Sequence, residues 1–261
     1  MMITIINDCR DANAVGRQSA RASSLLNAPI SFIGVASDLE AAGNLIDMID
    51  AAGNNTGAIL VNVAPRNGKA KKWPNGAPFG YFWHGNVLVV ASIDGFTLSL
   101  VKKLKIVDHI QVLDTADAVD ELIAEGIAAR EYKDRIVNSQ FRSYDFIPRI
   151  AAHLIRKRDI KSRAMDIEQI PDIPKAIWWI DNFGNCKTTI VSDEIEVRER
   201  VCRQARFNNL SYVPALKDVA DGTPALIAGS SGLGEKRFLE IVVQGGNAST
   251  YFALASGDRL L

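Results

Sequence analysis

The feature that most limits the fold of this chain is the alternation of apolar runs with helical patterns in residues 1–165. Apolar runs typical of strands occupy 2–6, 30–35 and 58–63. Between them, 13–26 and 39–52 repeat apolar residues at helical spacing. Strands that alternate with helices run parallel, because each helix returns the chain across a face of the sheet. The sequence therefore predicts an α/β domain with a mainly parallel sheet over residues 1–165.

The pattern changes after a charged stretch that ends in Ile170-Pro171-Asp172-Ile173-Pro174. Two prolines in five residues force an extended path, so we interpret residues 166–175 as a linker. Beyond it, helical periodicity largely vanishes. Strand-like runs separated by glycine and asparagine recur at 176–180, 187–191, 225–228 and 238–243. This pattern predicts an all-β, barrel-like domain over residues 176–261.

The composition limits the classes of function that are possible. The chain has 261 residues, 48% of them hydrophobic, which is enough for two cores. Thirty basic residues balance thirty acidic ones, so no global field favours nucleic acid or an anionic membrane. Cys9, Cys186 and Cys202 share no CxxC spacing, which argues against a disulfide framework or zinc site. No signal peptide or membrane-length apolar run is evident. We expect a soluble cytoplasmic protein with no metal, nucleic-acid partner or membrane partner.

The most distinctive local motif is a polar turn inside Trp178–Ile190, WWIDNFGNCKTTI. The turn Asp181–Asn185 gathers a carboxylate, an aromatic ring and two amides within five residues, and Gly184 permits a sharp bend. These groups suit a ligand that carries a cationic amine and a flat heterocycle. An ordinary hairpin turn rich in asparagine and glycine explains this stretch equally well.

A second candidate residue lies in the first domain. Asp8 follows the first strand, at the edge where α/β sheets bind their ligands. A carboxylate there is able to accept both hydroxyls of a ribose, and capping of the following helix is the competing role. The helical pattern at 146–156 indicates that His153 is a packed histidine and not a ligand.

The segment Gly229–Lys236 superficially looks like a phosphate loop. A true phosphate loop has Gly-Lys-Ser/Thr and leads from a strand into a helix. Here Glu235 interrupts the Gly-Lys pair, and the sequence that follows, FLEIVV, is typical of a strand. The nucleotide-triphosphatase interpretation is therefore excluded.

Several spaced motifs together resemble one enzyme family. In chain order they are Asp8, Asp11, Val15-Gly16, Asp181-Asn-Phe-Gly-Asn185, Ser230-Ser231-Gly232 and Gly245-Gly-Asn-Ala248. The combination resembles the S-adenosylmethionine (SAM) hydroxide adenosyltransferases, the adenosine-forming SAM hydrolases, which are related to fluorinases and chlorinases. The resemblance covers nearly the whole chain and is strongest in the C-terminal domain.

The resemblance implies a substrate-binding role for each matching residue. Asp8 matches the position that holds the ribose hydroxyls, and Asp181 matches the carboxylate that meets the methionine ammonium. Phe183 and Asn185 match the pair on the adenine side, and Ser231 matches the hydroxyl near the methionine carboxylate. The ligand would be SAM or adenosine, with no other cofactor.

The resemblance also implies an assembly. Members of this family have an α/β domain and a β-barrel domain and form homotrimers. Each of their ligand sites lies between the N-terminal domain of one subunit and the C-terminal domain of its neighbour. We therefore expect this chain to associate as a homotrimer.

The sequence departs from the family where water is activated. The family's Asp-Pro-Gly-Val-Gly loop is Ala64–Gly68 here, with Lys71 near the usual arginine, and its Phe-His-Gly-Arg-Asp segment is Phe141–Asp145. The family acid has become Ala64 and the histidine has become Arg142, while Ser143 falls where fluorinases place a halide-contacting serine. The usual Asp-Thr-His after the second strand is also absent. The candidate catalytic residues are therefore Lys71, Arg142 and Ser143.

Three hypotheses follow from this departure. The first is a SAM hydrolase that gives adenosine and methionine through a degenerate water-activating triad. The second is a SAM- or nucleoside-binding protein without catalysis. The third is substitution at C5′ of SAM by another nucleophile, such as halide. We favour the enzyme, since loss of a general base typically costs ~10²–10⁴-fold and leaves slow turnover.

Overall fold

A computed structural model describes residues 1–64, 76–157, 159–207 and 210–261. It divides into two compact units, an N-terminal unit of Met1–Pro171 and a C-terminal unit of Asp172–Leu261. Lys71 and Arg66 lie outside the described residues, as does most of the basic loop that contains them.

The N-terminal unit alternates strands and helices through its first half, as the sequence predicts. Its strands are β1 Met2–Asn7, β2 Ile30–Gly34, β3 Gly57–Asn62, β4 Phe79–His84, β5 Val87–Ser92, β6 His109–Leu113 and β7 Arg163–Asp166. Its helices are α1 Ala12–Leu26, α2 Asp38–Ala52, α3 Ser99–Lys103, α4 Thr115–Ala124, α5 Lys133–Val137, α6 Arg142–Asp145 and α7 Ile147–Lys157.

The seven described strands form one sheet in the order β2-β1-β3-β5-β4-β6-β7. The pairs β1–β2, β1–β3 and β3–β5 are parallel, and the pairs β4–β5, β4–β6 and β6–β7 are antiparallel. The expected mainly parallel sheet is therefore corrected to a mixed sheet. The physical reason is the connection between β4 and β5, which has only two residues, Gly85 and Asn86. Gly85 takes a positive φ in this turn. So short a connection makes a hairpin, since a parallel crossover needs a dozen residues or more.

The parallel part of the sheet is covered on both faces. Ile3, Leu60 and Val90 belong to one buried cluster together with residues of α1, α4 and α7. Ile6 and Ile59, which point to the opposite face, are also fully buried, and α2 lies against β1 and β3. Strands buried on both faces explain the near-continuous apolar runs in the sequence.

The C-terminal unit contains a five-stranded sheet in the order β10-β11-β12-β9-β8. Its elements are β8 Ile177–Ile180, β9 Cys186–Val191, α8 Ile195–Cys202, β10 Ser211–Val213, β11 Pro224–Leu233, β12 Lys236–Val243 and α9 Ala248–Tyr251. Neighbouring strands are antiparallel except β10 and β11, which are parallel.

Two expectations for this unit are corrected. Among the described strands no pairing closes β8 onto β10, so the structure shows an open sheet and not a barrel. The unit is also not purely β, because α8 covers eight residues of the sequence IEVRERVC. Only Val201 of this helix is buried. The helix therefore lacks the apolar stripe from which an amphipathic helix is recognised in a sequence.

The segment Gly229–Lys236 forms the end of β11, a turn and the start of β12. Gly234 takes a φ of 54° in this turn, and β12 begins at Lys236. The rejection of a phosphate loop is thus confirmed. No described helix combines the length and the apolar character that crossing a bilayer requires.

Candidate functional site

The turn between β8 and β9 is closed by its own aspartate. The Asp181 N–H donates to the Asn185 carbonyl at 3.1 Å, and the Gly184 N–H donates to the Asp181 carbonyl at 3.0 Å. Asp181 Oδ1 accepts the backbone N–H groups of Phe183 and Asn185, each at 2.9 Å, and Oδ2 accepts Asn185 Nδ2 at 3.0 Å. The carboxylate therefore shapes the turn as well as placing a negative charge on it.

This turn docks onto a second turn far along the chain. Gly184 has a φ of 85°, and a Cβ built on it would overlap the side-chain amide of Asn247. The Gly184 carbonyl accepts the Ser249 N–H at 2.9 Å, and Asn247 Oδ1 accepts the Thr250 N–H at 2.8 Å to cap α9. Gly184 is required because only glycine permits both this φ and this approach. The two motifs quoted from the sequence, 181–185 and 245–248, are one structural feature.

The docked turns expose an aromatic ring. Phe183 is 69% exposed, while Asp181 and Asn185 are half-buried at its sides. Tyr251 on α9, also exposed, packs edge-on against Phe252 at 4.7 Å between ring centroids. An exposed ring held on a rigid turn offers a stacking surface to a flat ligand. Sequence reasoning missed Tyr251, which lies just beyond the last motif.

A lysine of β9 reaches the predicted Ser231. Lys187 Nζ donates to Ser231 Oγ at 2.5 Å and lies 3.6 Å from Glu240 Oε1. Ser231 is buried at 4% exposure, so it faces this lysine and not open solvent. Sequence reasoning missed Lys187, although a charged side chain between buried Cys186 and buried Thr188 is the signal that marks it. The pair places a cation beside the hydroxyl that the resemblance assigns to the methionine carboxylate.

Cys186 lies next to this turn and is unreactive. Burial raises the pKa of its thiol to about 12, and the charge of Asp181 adds to the increase. A thiol with this pKa is protonated at neutral pH, and only the thiolate is a good nucleophile. Cys186 therefore acts as a core residue of the C-terminal unit.

In the N-terminal unit, one aspartate caps a helix and another lies at the edge of the sheet where a ligand is expected. Asp11 is the N-cap of α1 and accepts the N–H groups of Asn13 and Ala14 at 3.1 and 3.0 Å. Asp8 lies instead at the carboxyl end of β1, where its Oδ2 accepts the Ala64 N–H at 3.2 Å. The cap is thus Asp11, and Asp8 joins the ends of β1 and β3.

Neighbouring polar residues at the same edge of the sheet hold loops in place. Asn7 Nδ2 donates to Gln18 Oε1 at 2.8 Å, and the Cys9 N–H donates to Asn7 Oδ1 at 2.8 Å. After β2, Ser37 caps α2 by accepting the Glu40 N–H, and Glu40 Oε2 accepts the Ala36 N–H at 2.6 Å. Ser37 and Glu40 therefore hold the segment 35–37 at the start of α2.

Arg142 and Ser143 share the short helix α6. Arg142 Nη2 donates to the Ala77 carbonyl at 2.7 Å, and its guanidinium lies 4.8 Å from the centroid of the Phe79 ring. Burial lowers the pKa of Arg142, although a guanidinium stays charged at neutral pH. A Cβ on Gly76, at φ 70°, would overlap Nη2, so the backbone also fixes this guanidinium.

Ser143 differs from its neighbour in having an unused hydroxyl. It is buried at 5% exposure, and its Oγ has no hydrogen-bond partner among the described residues. A buried hydroxyl without a partner is costly, so such groups mark a place where water or a ligand binds. The third predicted catalytic residue, Lys71, lies outside the described residues.

The structure thus brings together some of the predicted residues. Asp181, Phe183 and Asn185 form one turn, and Ser231 pairs with Lys187 elsewhere in the same unit. Arg142 and Ser143 share a helix in the N-terminal unit, which also contains Asp8. His153 is buried within α7, with Nε2 2.9 Å from the Asp159 carbonyl, as the sequence predicts for a packed histidine.

Comparison with known proteins identifies one family domain and two proteins of similar fold. Residues 175–261 match the model of the SAM hydroxide adenosyltransferase C-terminal domain. No curated protein matches the sequence. An uncharacterized conserved protein from Thermotoga maritima is 18% identical with a TM-score of 0.65, and the match covers 98% of each chain. A conserved hypothetical protein from Thermus thermophilus is 16% identical with a TM-score of 0.57, over 98% of this chain and 97% of the other.

The fold and the docked turns define a protein with an α/β unit and a mainly β unit, the latter with an exposed aromatic turn. The structural neighbours show that this fold extends over nearly the whole chain. Residues 175–261 thus match the C-terminal domain of the SAM hydroxide adenosyltransferases, which confirms the resemblance seen in the sequence for this part of the chain.

Proposed function

We propose that this protein binds SAM and hydrolyses it to adenosine and methionine. The observation that carries the proposal is the turn 181–185 docked onto 247–249, inside a domain of this family. The turn presents a carboxylate, an aromatic face and an amide from one rigid piece of backbone. These groups complement the ammonium and the purine of SAM.

The adenine would stack on Phe183, and base–aromatic stacking contributes about 1–3 kcal/mol. Asn185 donates through Nδ2 to Asp181, which leaves its Oδ1 to accept the exocyclic amine of the purine. Asp181 would meet the methionine ammonium. Ser231 and Lys187 would meet the methionine carboxylate, with Lys187 supplying the charge. Asp8 would accept the ribose hydroxyls.

The reaction makes modest demands on the protein. Attack at C5′ expels a neutral thioether, so the leaving group needs no acid. The nucleophilic water must be held in line with the breaking bond. We assign this task to Arg142, Ser143 and Lys71. Ser143 offers its hydroxyl, and Arg142 supplies a fixed charge. None of these replaces the missing general base, so turnover should be slow.

Self-association belongs to the same proposal. Asp8 and Asp181 lie in different units, and the resemblance implies that neighbouring subunits of a cytoplasmic homotrimer supply them to one ligand. Light scattering at micromolar concentration should give three times the mass of one chain. A monomer that still binds SAM tightly would refute the trimer.

Product analysis of the purified protein tests the activity. Incubation with SAM should give adenosine and methionine in equal amounts, resolved by chromatography over time. Phe183→Ala should lower kcat/KM by about 10–100-fold, because it removes the stacking surface. Phe207→Leu, which alters the core of the same unit, serves as a matched control for stability. Binding of SAM without any product would reject the hydrolase.

One observation favours a second function, binding without turnover. Arg142 is already committed to the Ala77 carbonyl and the Phe79 ring, and Ala64 has no side chain able to position water. The buried hydroxyl of Ser143 also suits a halide nucleophile. Adding chloride or fluoride to the reaction separates these cases, because a halogenated adenosine would form only by substitution at C5′.

A further inference from the structure

A groove in the N-terminal unit is lined by none of the residues proposed for SAM, although its Tyr144 directly follows Ser143 on α6. It has a volume of about 360 Å³ and runs between α1 and α6. Its lining residues are Arg17, Ala20, Arg21, Ser24, Leu25 and Tyr144. The volume falls within the range of about 300–1,000 Å³ found for small-molecule sites. One end is basic and aromatic, and the other is small and apolar.

Two arginines of α1 lie over aromatic rings at the basic end. The Cζ atoms of Arg17 and Arg21 lie 4.7 and 4.5 Å from the centroid of the Tyr144 ring. Arg17 Cζ is also 5.0 Å from the centroid of Phe141, which stacks on Tyr144 at 5.7 Å. Arg21 Nη2 donates to the Tyr144 hydroxyl at 2.5 Å. Contact with the rings restrains both guanidiniums, and each has several N–H groups, so donors remain for a ligand.

The positive charge of the groove is not balanced by the described residues around it. Neither Arg17 nor Arg21 has a carboxylate within ion-pair distance in the described part of the chain. Arg149 is 4% exposed on α7, and its Nε has no hydrogen-bond partner there. Burial lowers the pKa of Arg149, and the charges of Arg21 and Arg135 lower it further. Arg17 and Arg21 therefore give the groove a positive charge that an anion would neutralise.

Asp145 is the carboxylate that opposes these arginines. Its charge acts on Arg149, but its Oδ2 accepts the Ser139 hydroxyl at 2.7 Å. The hydrogen bond from Arg21, assisted by the charge of Arg17, lowers the pKa of Tyr144. The local potential is therefore positive on the side of the groove that faces the rings.

We infer that this groove binds a small phosphate monoester, with the phosphate on Arg17 and Arg21 and the organic part against Ala20, Ser24 and Leu25. Planar guanidiniums match phosphate oxygens in pairs, and two of them match a dianion better than a single carboxylate. The short apolar side of the groove accommodates a compact organic group.

Calorimetry with phenyl phosphate and inorganic phosphate tests the inference. Phenyl phosphate should bind the wild-type protein saturably and more tightly than inorganic phosphate. The double variant Arg17→Gln/Arg21→Gln should weaken it by at least about 10-fold, since two charge-assisted hydrogen-bond donors are lost. Arg130→Gln/Arg163→Gln removes the same net charge from exposed positions elsewhere in the unit and should retain the wild-type affinity.

A charge-conserving variant sharpens the test. Arg17→Lys/Arg21→Lys keeps both charges but loses the planar donors, so its affinity should fall between the wild type and the glutamine variant. Circular dichroism checks that each variant folds. The inference is overturned if phenyl phosphate does not bind, or if both glutamine variants bind it equally well. Binding only to a single-stranded oligonucleotide would also overturn it, in favour of a nucleic-acid surface.

Discussion

The two units of this protein hold their candidate site residues differently. In the C-terminal unit, the backbone of a docked turn holds Asp181 and Asn185 beside an exposed Phe183. In the N-terminal unit, Arg142 is engaged by the protein itself, and Ala64 stands where the resemblance places the family's acid. Under the proposed function, the surface that binds the ligand is intact, whereas the groups that handle the nucleophile have been exchanged. The proposal therefore treats binding and water activation as separable properties of this fold.

Restoring the groups that activate water in the family should have the largest effect on the reaction rate. The triple change Ala64→Asp, Lys71→Arg, Arg142→His rebuilds the family's acid, guanidinium and imidazole. It should raise adenosine formation by about 10²–10⁴-fold, the usual contribution of a general base. Chromatography of timed reactions measures the rate.

The single changes provide the control for this prediction. Each should gain less than the triple variant, because groups that act as a unit are non-additive. Arg142→His alone should also lower the melting temperature, because it removes the hydrogen bond to the Ala77 carbonyl. A wild-type rate above that of the triple variant would mean that Arg142, Ser143 and Lys71 form a working arrangement of their own.

Disrupting the docked turns should lower the affinity for SAM. Gly184→Ala places a Cβ in the space of the Asn247 amide, at a φ of 85°. A Cβ-bearing residue at positive φ costs about 1–2 kcal/mol before the clash is counted. SAM affinity should fall by about 100-fold or more, and the melting temperature should drop. The control is Gly16→Ala on α1, where a Cβ meets nothing within 4 Å and should be neutral or stabilising.

Removing the charge of Asp181 separates its two roles. Asp181→Asn keeps Oδ1 as the acceptor for the turn but loses the negative charge and the Oδ2 that accepts Asn185 Nδ2. A charge-assisted hydrogen bond contributes about 1.5–3 kcal/mol, so SAM affinity should fall by roughly 10–100-fold. Adenosine lacks the ammonium and should lose less. Equal losses for both ligands by calorimetry would show that Asp181 acts only through the shape of the turn.

The smallest expected effects concern Lys187 and its partner Ser231. Lys187→Met removes the cation beside Ser231 while keeping the length of the side chain. SAM affinity should fall by about 10-fold, and adenosine, which has no carboxylate, should bind as before. Ser231→Ala should produce a similar pattern with a smaller loss. A drop in adenosine affinity would show instead that Lys187 acts by stabilising the sheet.

Much of the fold could be predicted because its information is local. Apolar runs give β1, β2 and β3 to within one or two residues, and capping residues such as Ser37 start the helices. Strand direction depends on pairing between segments, so the antiparallel β4 was not recognised as making the sheet mixed. α8 was missed because its sequence lacks an apolar stripe.

The candidate site was predictable only in part for the same reason. The sequence shows which groups lie in the turn 181–185, but not that Asp181 uses its oxygens to shape it. Lys187 was overlooked because its partner Ser231 is distant in the chain, and contacts between distant strands leave no periodic signal. The roles of all the predicted site residues stay predictions: Asp8, Lys71, Arg142, Ser143, Asp181, Phe183, Asn185 and Ser231.

The contact between Gly184 and Asn247 has a consequence for anyone who redesigns or transplants this binding surface. A Cβ at 184 would occupy the space of the Asn247 amide, so neither loop tolerates an independent change of volume. Transferring Asp181–Asn185 alone into another β-hairpin would carry the chemical groups without the support that orients them. The two loops form a single transferable module, and an exchange between proteins would have to take both together with the spacing of β9 and β12 beneath them.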